Sequence, residues 1–194
     1  KVSYFAAALA AVFCVAAFNN MAVSYPDGPP ANRCGLYGTQ PTCTACHSQA
    51  SGTSTATISI AGNPTTYTPG QTYAVTIAGT GGSTYGFEAA CVKSTGGANA
   101  GTFASATGTE TASSTVTGNS ITFIRQSTPK TSGSWTFNWT APATNVGSVV
   151  FYGAVLAANG TGGTGGDKTK TATLTLPAPA CAAPATPTGL TTTN

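Results

Sequence analysis

Six cysteines and one histidine occur in this chain, and the histidine directly follows a Cys-x-x-Cys pair in Cys43-Thr44-Ala45-Cys46-His47. C-x-x-C-H is the attachment signal for a c-type haem. Two thiols at this spacing reach the two vinyl groups on one porphyrin edge, and the adjacent imidazole falls beneath the iron as proximal ligand. The expected cofactor is therefore one covalent haem c, attached through Cys43 and Cys46 and ligated by His47.

Three other readings of the motif compete with this one. A chance match is opposed by the scarcity of both residue types. A Cys₃His zinc site of Cys34, Cys43, Cys46 and His47 would need adjacent Cys46 and His47 to point at one tetrahedral metal. Exported chains also tend to lose such thiols to oxidation. A Cys43–Cys46 disulfide, redox-active or structural, leaves the position of His47 unexplained. Beyond the motif, catalytic chemistry is thin: with His47 committed, neither a histidine-based triad nor a paired-carboxylate site is apparent. The run Asn159-Gly-Thr-Gly-Gly-Thr-Gly-Gly-Asp167 lacks the Lys-Ser/Thr ending of a phosphate loop and reads as a hairpin loop. Asp167 is one of four acidic residues, too few for a dedicated calcium site. Asn138-Trp-Thr140 and Asn159-Gly-Thr161 match glycosylation acceptors, of which the second falls in the expected loop.

Lys1 opens a short basic start followed by an uncharged apolar run from Tyr4 to Phe18. That run is shorter than the roughly 20 residues a membrane-spanning helix needs, so residues 1–24 read as a signal peptide rather than an anchor. Ala22 and Ser24 place the cut before Tyr25. Charged residues are only 6% of the chain, against about 25% in an average soluble domain, so Thr, Ser, Gly and Asn must cover the surface. With a net charge of +3 and no basic run, nucleic acid and anionic membranes are excluded as expected partners. Without the leader about 170 residues remain, most simply one domain with tails.

Residues 25–50 hold turn formers without a sustained period and form an irregular arm carrying the haem motif. The next 125 or so residues are the wall that such a haem needs, and they alternate short β patterns with turn clusters. The segments are residues 56–61, 73–78, 85–92, 101–103, 120–124, 134–140, 147–156 and 170–176. None carries a helical period. Seven or eight short strands punctuated by Gly and Pro define an all-β fold, an antiparallel β-sandwich of immunoglobulin or fibronectin type, over residues 51–177. In Trp135-Thr-Phe-Asn-Trp139 the aromatics share one strand face and read as sandwich core.

The order of these pieces resembles the reelin-type (Reeler) domain, especially bacterial secreted relatives with a haem-type C-x-x-C-H near the N-terminus. The matching residues are Tyr25-Pro-Asp-Gly-Pro-Pro30, Cys43-Thr-Ala-Cys-His-Ser48, Tyr67-Thr-Pro-Gly-Gln-Thr-Tyr73, Tyr85-Gly-Phe87, Ala100-Gly-Thr-Phe103, Trp135-Thr-Phe-Asn-Trp-Thr-Ala-Pro142, Val150-Phe-Tyr-Gly-Ala154, and Ala158-Asn159 through Gly166-Asp167. The resemblance covers about residues 25–177. It implies a β-sandwich displayed outside the cytoplasm, often joined to other surface modules, and assigns no activity by itself. One departure bears on the iron. Relatives often place a histidine in the strand before the Trp-rich segment, where this chain has Phe123-Ile-Arg-Gln-Ser127.

A second axial ligand must then come from elsewhere. Met21, the only methionine, would leave with the leader. A mature Tyr25-Pro26 start followed by C-x-x-C-H is similar to cytochrome f, in which the α-amino group of an N-terminal Tyr binds the haem iron beside a β-sandwich. The similarity implies that Tyr25 is the sixth ligand. The alternatives are a lysine, a ligand from another molecule, or none.

Cys34, Cys91 and Cys181 remain after the leader and the haem are subtracted, so one is free or pairs outside the chain. The expected bridge is Cys34–Cys91, tying arm to sandwich. Residues 178–194 shift to a Pro/Ala linker and an opening like that of a fibronectin type III module, as in a longer surface protein. Two functions follow from different classes. The first is an exported monohaem c-type cytochrome domain that passes electrons to a redox partner protein in the envelope or outside the cell. The second is a non-catalytic surface module for adhesion or assembly, self-assembly included, with the C-x-x-C pair closed as a disulfide.

Overall fold

The computed structural model describes residues 25–180. The expected signal peptide and its cleavage point, Cys181 and the expected fibronectin-like opening lie outside the described residues. Nine strands follow the arm: β1 (Thr55–Ile60), β2 (Thr72–Thr80), β3 (Thr84–Lys93), β4 (Thr102–Ala104), β5 (Thr109–Val116), β6 (Asn119–Gln126), β7 (Ser134–Thr140), β8 (Val149–Ala158) and β9 (Lys168–Leu176). They form two antiparallel sheets, ordered β1-β2-β7-β4 and β5-β6-β3-β8-β9. The expected all-β sandwich is therefore present, with its strands close to the alternating segments of the sequence.

Period-two alternation explains which residues meet between the sheets. Tyr73, Val75 and Ile77 of β2, and Trp135, Phe137 and Trp139 of β7, turn inward against Phe87, Ala89 and Cys91 of β3 and Phe151 and Val155 of β8. Trp139 is the centre of this layer. Its ring packs edge-on to Phe151 at 4.9 Å, and its Nε1–H donates to the Ala100 carbonyl at 2.9 Å, so its own indole proton is paired despite burial. The outer face of the first sheet carries threonine pairs, Thr72 with Thr140 and Thr76 with Thr136, whose hydroxyls lie 2.8 Å apart across the ladder. They cover the surface in place of charges.

Strand β5 was not foreseen. Its sequence, Thr-Glu-Thr-Ala-Ser-Ser-Thr-Val, has no apolar alternation because it is a sheet edge whose burial is confined to its ends. Pairing with the apolar β6 along all eight residues holds it in place.

The second sheet is covered on both faces, and this positions the arm. On its outer side Ala90 and Val92 of β3, Val116 of β5, and Ile121 and Phe123 of β6 form a second core with Cys34 and Leu36 of the arm. Tyr37 adds an edge-on contact with Tyr152 at 6.3 Å and donates its hydroxyl to the Gly97 carbonyl at 2.6 Å. The arm is thus irregular in backbone but firmly packed.

That geometry corrects the expected Cys34–Cys91 bridge. Cys34 packs on the outer face of β3 beside Ala90 and Val92, whereas Cys91 points into the inter-sheet core. Successive strand side chains face opposite ways, so the sheet separates the two sulfurs. Cys34, Cys43, Cys46 and Cys91 are all free thiols.

Candidate functional site

The haem motif sits on a single tight turn. A 3-10 helix spans Cys43–Ala45, and Thr42 caps it by accepting from Thr44 N–H at 3.3 Å. The N–H groups of Cys46 and His47 both return to the Cys43 carbonyl, at 3.2 and 3.0 Å. Cys43, Cys46 and His47 consequently open onto one cavity, whose other walls include Tyr25, Pro29 and Pro30 of the arm and Gly86, Gln126 and Leu156 of the sheet. The hollow extends past His47 and Tyr25 toward Thr84, Ala158 and the glycines of the β8–β9 loop. The two parts share Tyr25, His47, Gly86, Gln126 and Leu156 and hold about 40 and 240 Å³, below the about 300–1,000 Å³ usual for enclosed ligand sites.

The floor of the cavity is a gap in a β ladder. Strands β3 and β6 pair only from Glu88 to Ala90, and beyond that point the Gln126 side chain takes the place of a strand, its Oε1 accepting from Phe87 N–H at 2.6 Å. Gly86 lies at the gap. A Cβ there would come within 2.8 Å of Gln126 Nε2. Its missing side chain leaves the space that the Gln126 amide fills. Gln126 also belongs to the strand in which the resemblance places a histidine, and it reaches the cavity from there.

Two carboxylates support the site from below. Asp167, fully buried, places Oδ2 2.6 Å from His47 Nδ1, and its Oδ1 accepts from Asn159 N–H at 2.9 Å. Glu88, also fully buried, accepts from Arg33 N–H at 2.5 Å while its second oxygen has no partner. Burial pushes its carboxyl up from 4.5 to about 7, against the opposing pull of the Arg33 N–H and the Arg125 and Arg33 charges. Burial first, and the Glu88 charge second, push the Cys43 thiol up to about 12 and raise Cys34 well above its ordinary value. Without a nearby metal cation, thiols so held are neutral. Among the described residues no group of three or more His, Cys, Asp or Glu side chains is arranged to hold a metal ion.

All four sequence-derived site residues, Cys43, Cys46, His47 and Tyr25, line the same cavity. Sequence reasoning missed Asp167, Glu88, Gln126 and Gly86. The one available signal was rarity: Asp167 and Glu88 are half of the acidic residues in the chain.

An antiparallel two-sheet sandwich with a cysteine-rich arm laid on its outer face defines a β-sandwich module rather than a helical cytochrome. The family profile of the Reeler domain matches residues 41–161, and the chain belongs to the Reeler domain family. Reeler domains are typically extracellular. Among solved structures, the human F-spondin reeler domain (fragment 1) is 19% identical, with 67% of this chain and 94% of that chain covered and a TM-score of 0.44. Fragment 2 of that domain is 22% identical over 52% of this chain and 76% of that one, with a TM-score of 0.41. The Reelin-N domain of F-spondin is 24% identical over 54% and 76%, with a TM-score of 0.42. No curated protein matches the chain. No helix among the described residues is long and apolar enough to cross a membrane.

Proposed function

We propose that this chain is an exported monohaem c-type cytochrome domain that transfers electrons outside the cytoplasm. The observation that carries the reading is convergence: both motif cysteines, the only histidine and Tyr25 line one hollow against a Reeler sandwich. The residues fit the group. Both sulfurs are free, and Asp167 faces His47 Nδ1, which leaves Nε2 as the nitrogen for iron. When bound, haem c supplies a one-electron couple whose potential follows its axial ligands and surroundings.

The chain's residues divide the work. Cys43 and Cys46 would hold the porphyrin covalently, and His47 together with the α-amino group that cleavage before Tyr25 would create would ligate the iron. Such an amine has a pKa of about 7.7–8.0 and is free to bind near neutral pH. Pro29, Pro30 and Leu156 give the site its apolar walls. With so few charges on the surface, the redox partner docks through short-range contacts rather than long-range steering.

Expression of the full chain in a haem-attaching host tests this. A Soret band that survives denaturation and an intact mass raised by one haem are expected, with a mature terminus at Tyr25. A colourless product with Cys43 joined to Cys46 would refute the reading and leave the surface adhesion or assembly module. A coloured product starting elsewhere would remove Tyr25 alone.

A further inference from the structure

We infer that Asp167 is the positioning residue of the iron site: it fixes the His47 ring with its proton on Nδ1 and makes the imidazole a stronger donor. The inference rests on the haem reading above. It starts from an arrangement that the sandwich does not itself require. Asp167 ends the glycine-rich loop between β8 and β9, 120 residues from His47, and is 0% exposed. A carboxylate so buried is costly unless its lone pairs are met by donors. Here each oxygen has one, Asn159 N–H on Oδ1 and His47 Nδ1 on Oδ2. Among the described residues His47 is its only ionic partner.

The backbone makes the pairing rigid. The Asp167 carbonyl accepts from Ala50 N–H at 2.6 Å, and Gln49 and Asp167 form a parallel bridge. Ser48 N–H donates to the Thr164 carbonyl at 2.8 Å. The three residues after His47 are therefore stitched to the loop that carries Asp167. An acceptor-only carboxylate facing Nδ1 requires the proton there, which leaves Nε2 as the lone-pair nitrogen. A carboxylate behind a ligating imidazole raises its basicity, and its loss commonly changes metal-site properties 10–100-fold. Electron donation to iron favours the ferric form, so Asp167 holds the reduction potential down.

The test compares the full haem-loaded chain with Asp167→Asn, which removes the charge and keeps an acceptor, and Asp167→Glu, which keeps the charge. Midpoint potential is read by spectroelectrochemical titration, and haem attachment by the Soret band after denaturation. Asp167→Asn is expected to retain covalent haem and favour reduction about tenfold, a rise of about 59 mV for a one-electron couple. Asp167→Glu is expected to return most of that shift. A merely structural role would lower haem loading and leave the potential of the loaded fraction unchanged, which overturns the inference while the haem reading stands. Absence of covalent haem from the wild-type chain would instead remove the haem reading, and the potential argument with it. Should Asp167→Asn not fold, nitrogen-15 spectra of the wild-type chain made without haem decide the matter. With the ring neutral, a proton on Nδ1 is expected; a proton on Nε2 overturns the inference.

Discussion

Replacing Glu88 by Gln should remove most of a pH dependence of stability that the fold builds in under the arm. Glu88 lies on the outer face of β3, where Arg33 closes over it, and one of its oxygens has no hydrogen-bond partner. Its carboxyl titrates at about 7 in the folded chain against 4.5 for the free group, because burial outweighs the Arg33 N–H and the nearby arginines. Below about pH 4.5 the group is protonated whether the chain is folded or not, so it contributes no difference. Between 4.5 and 7 the unfolded chain has lost this proton and the folded chain keeps it, so stability falls as pH rises. At 1.36 kcal/mol per pH unit the full loss is roughly 3 kcal/mol, complete above pH 7. Glutamine resembles the protonated acid in shape and hydrogen bonding and does not titrate. Guanidinium unfolding of both proteins at pH 5, 6, 7 and 8 measures the difference. Glu88→Gln should be close to wild type at pH 5 and more stable by about 2–3 kcal/mol at pH 8. A difference that does not vary between those pH values would refute the argument that burial, rather than the paired arginines, sets this carboxyl.

Three further outcomes can be checked independently. Gly86→Val should leave the β-sheet circular dichroism largely unchanged yet lower covalent haem yield, because a Cβ there meets the Gln126 amide at 2.8 Å and must displace it from the Phe87 N–H it accepts from; unchanged yield would mean that the placement of Gln126 is not used. Trp139→Ala should cost about 3–5 kcal/mol in chemical unfolding, the range for removing a large buried aromatic, since its ring contacts Phe151 and its N–H holds Ala100; a cost under about 1 kcal/mol would show that this layer can collapse around the loss. Cys34 and Cys91 should resist alkylation at pH 8 in the folded protein, as burial raises both thiols, and should both react in denaturant without reductant. Failure of both to react after unfolding would restore the bridge between them.

What was legible in the sequence follows from what each signal measures. Alternation reports which strand faces meet a core, so the inward aromatics of Trp135-Thr-Phe-Asn-Trp139 announced both a strand and its buried side, whereas β5, polar along its middle, announced nothing. Strand β3 shows the limit of the same rule. It reads as one apolar run because each face has a different cover, the sandwich on one side and the arm on the other. Counting cysteines could not tell those faces apart, and the expected bridge joined residues the sheet keeps apart. Spacing reports local chemistry, so Cys43, Cys46 and His47 were legible within five residues, and Tyr25 was reached by resemblance. Asp167 was not, because nothing within its own segment requires a carboxylate; the requirement comes from an imidazole 120 residues away. The arm explains how such distant parts are held. Leu36 and Cys34 anchor it to the sheet before the haem motif, and the Ala50–Asp167 hydrogen bond anchors it after, so the irregular turn between is fixed at both ends. A sandwich needs neither anchor for its own core. Their presence on either side of Cys43–His47 is the structural reason to treat the turn as a site rather than as a connecting loop.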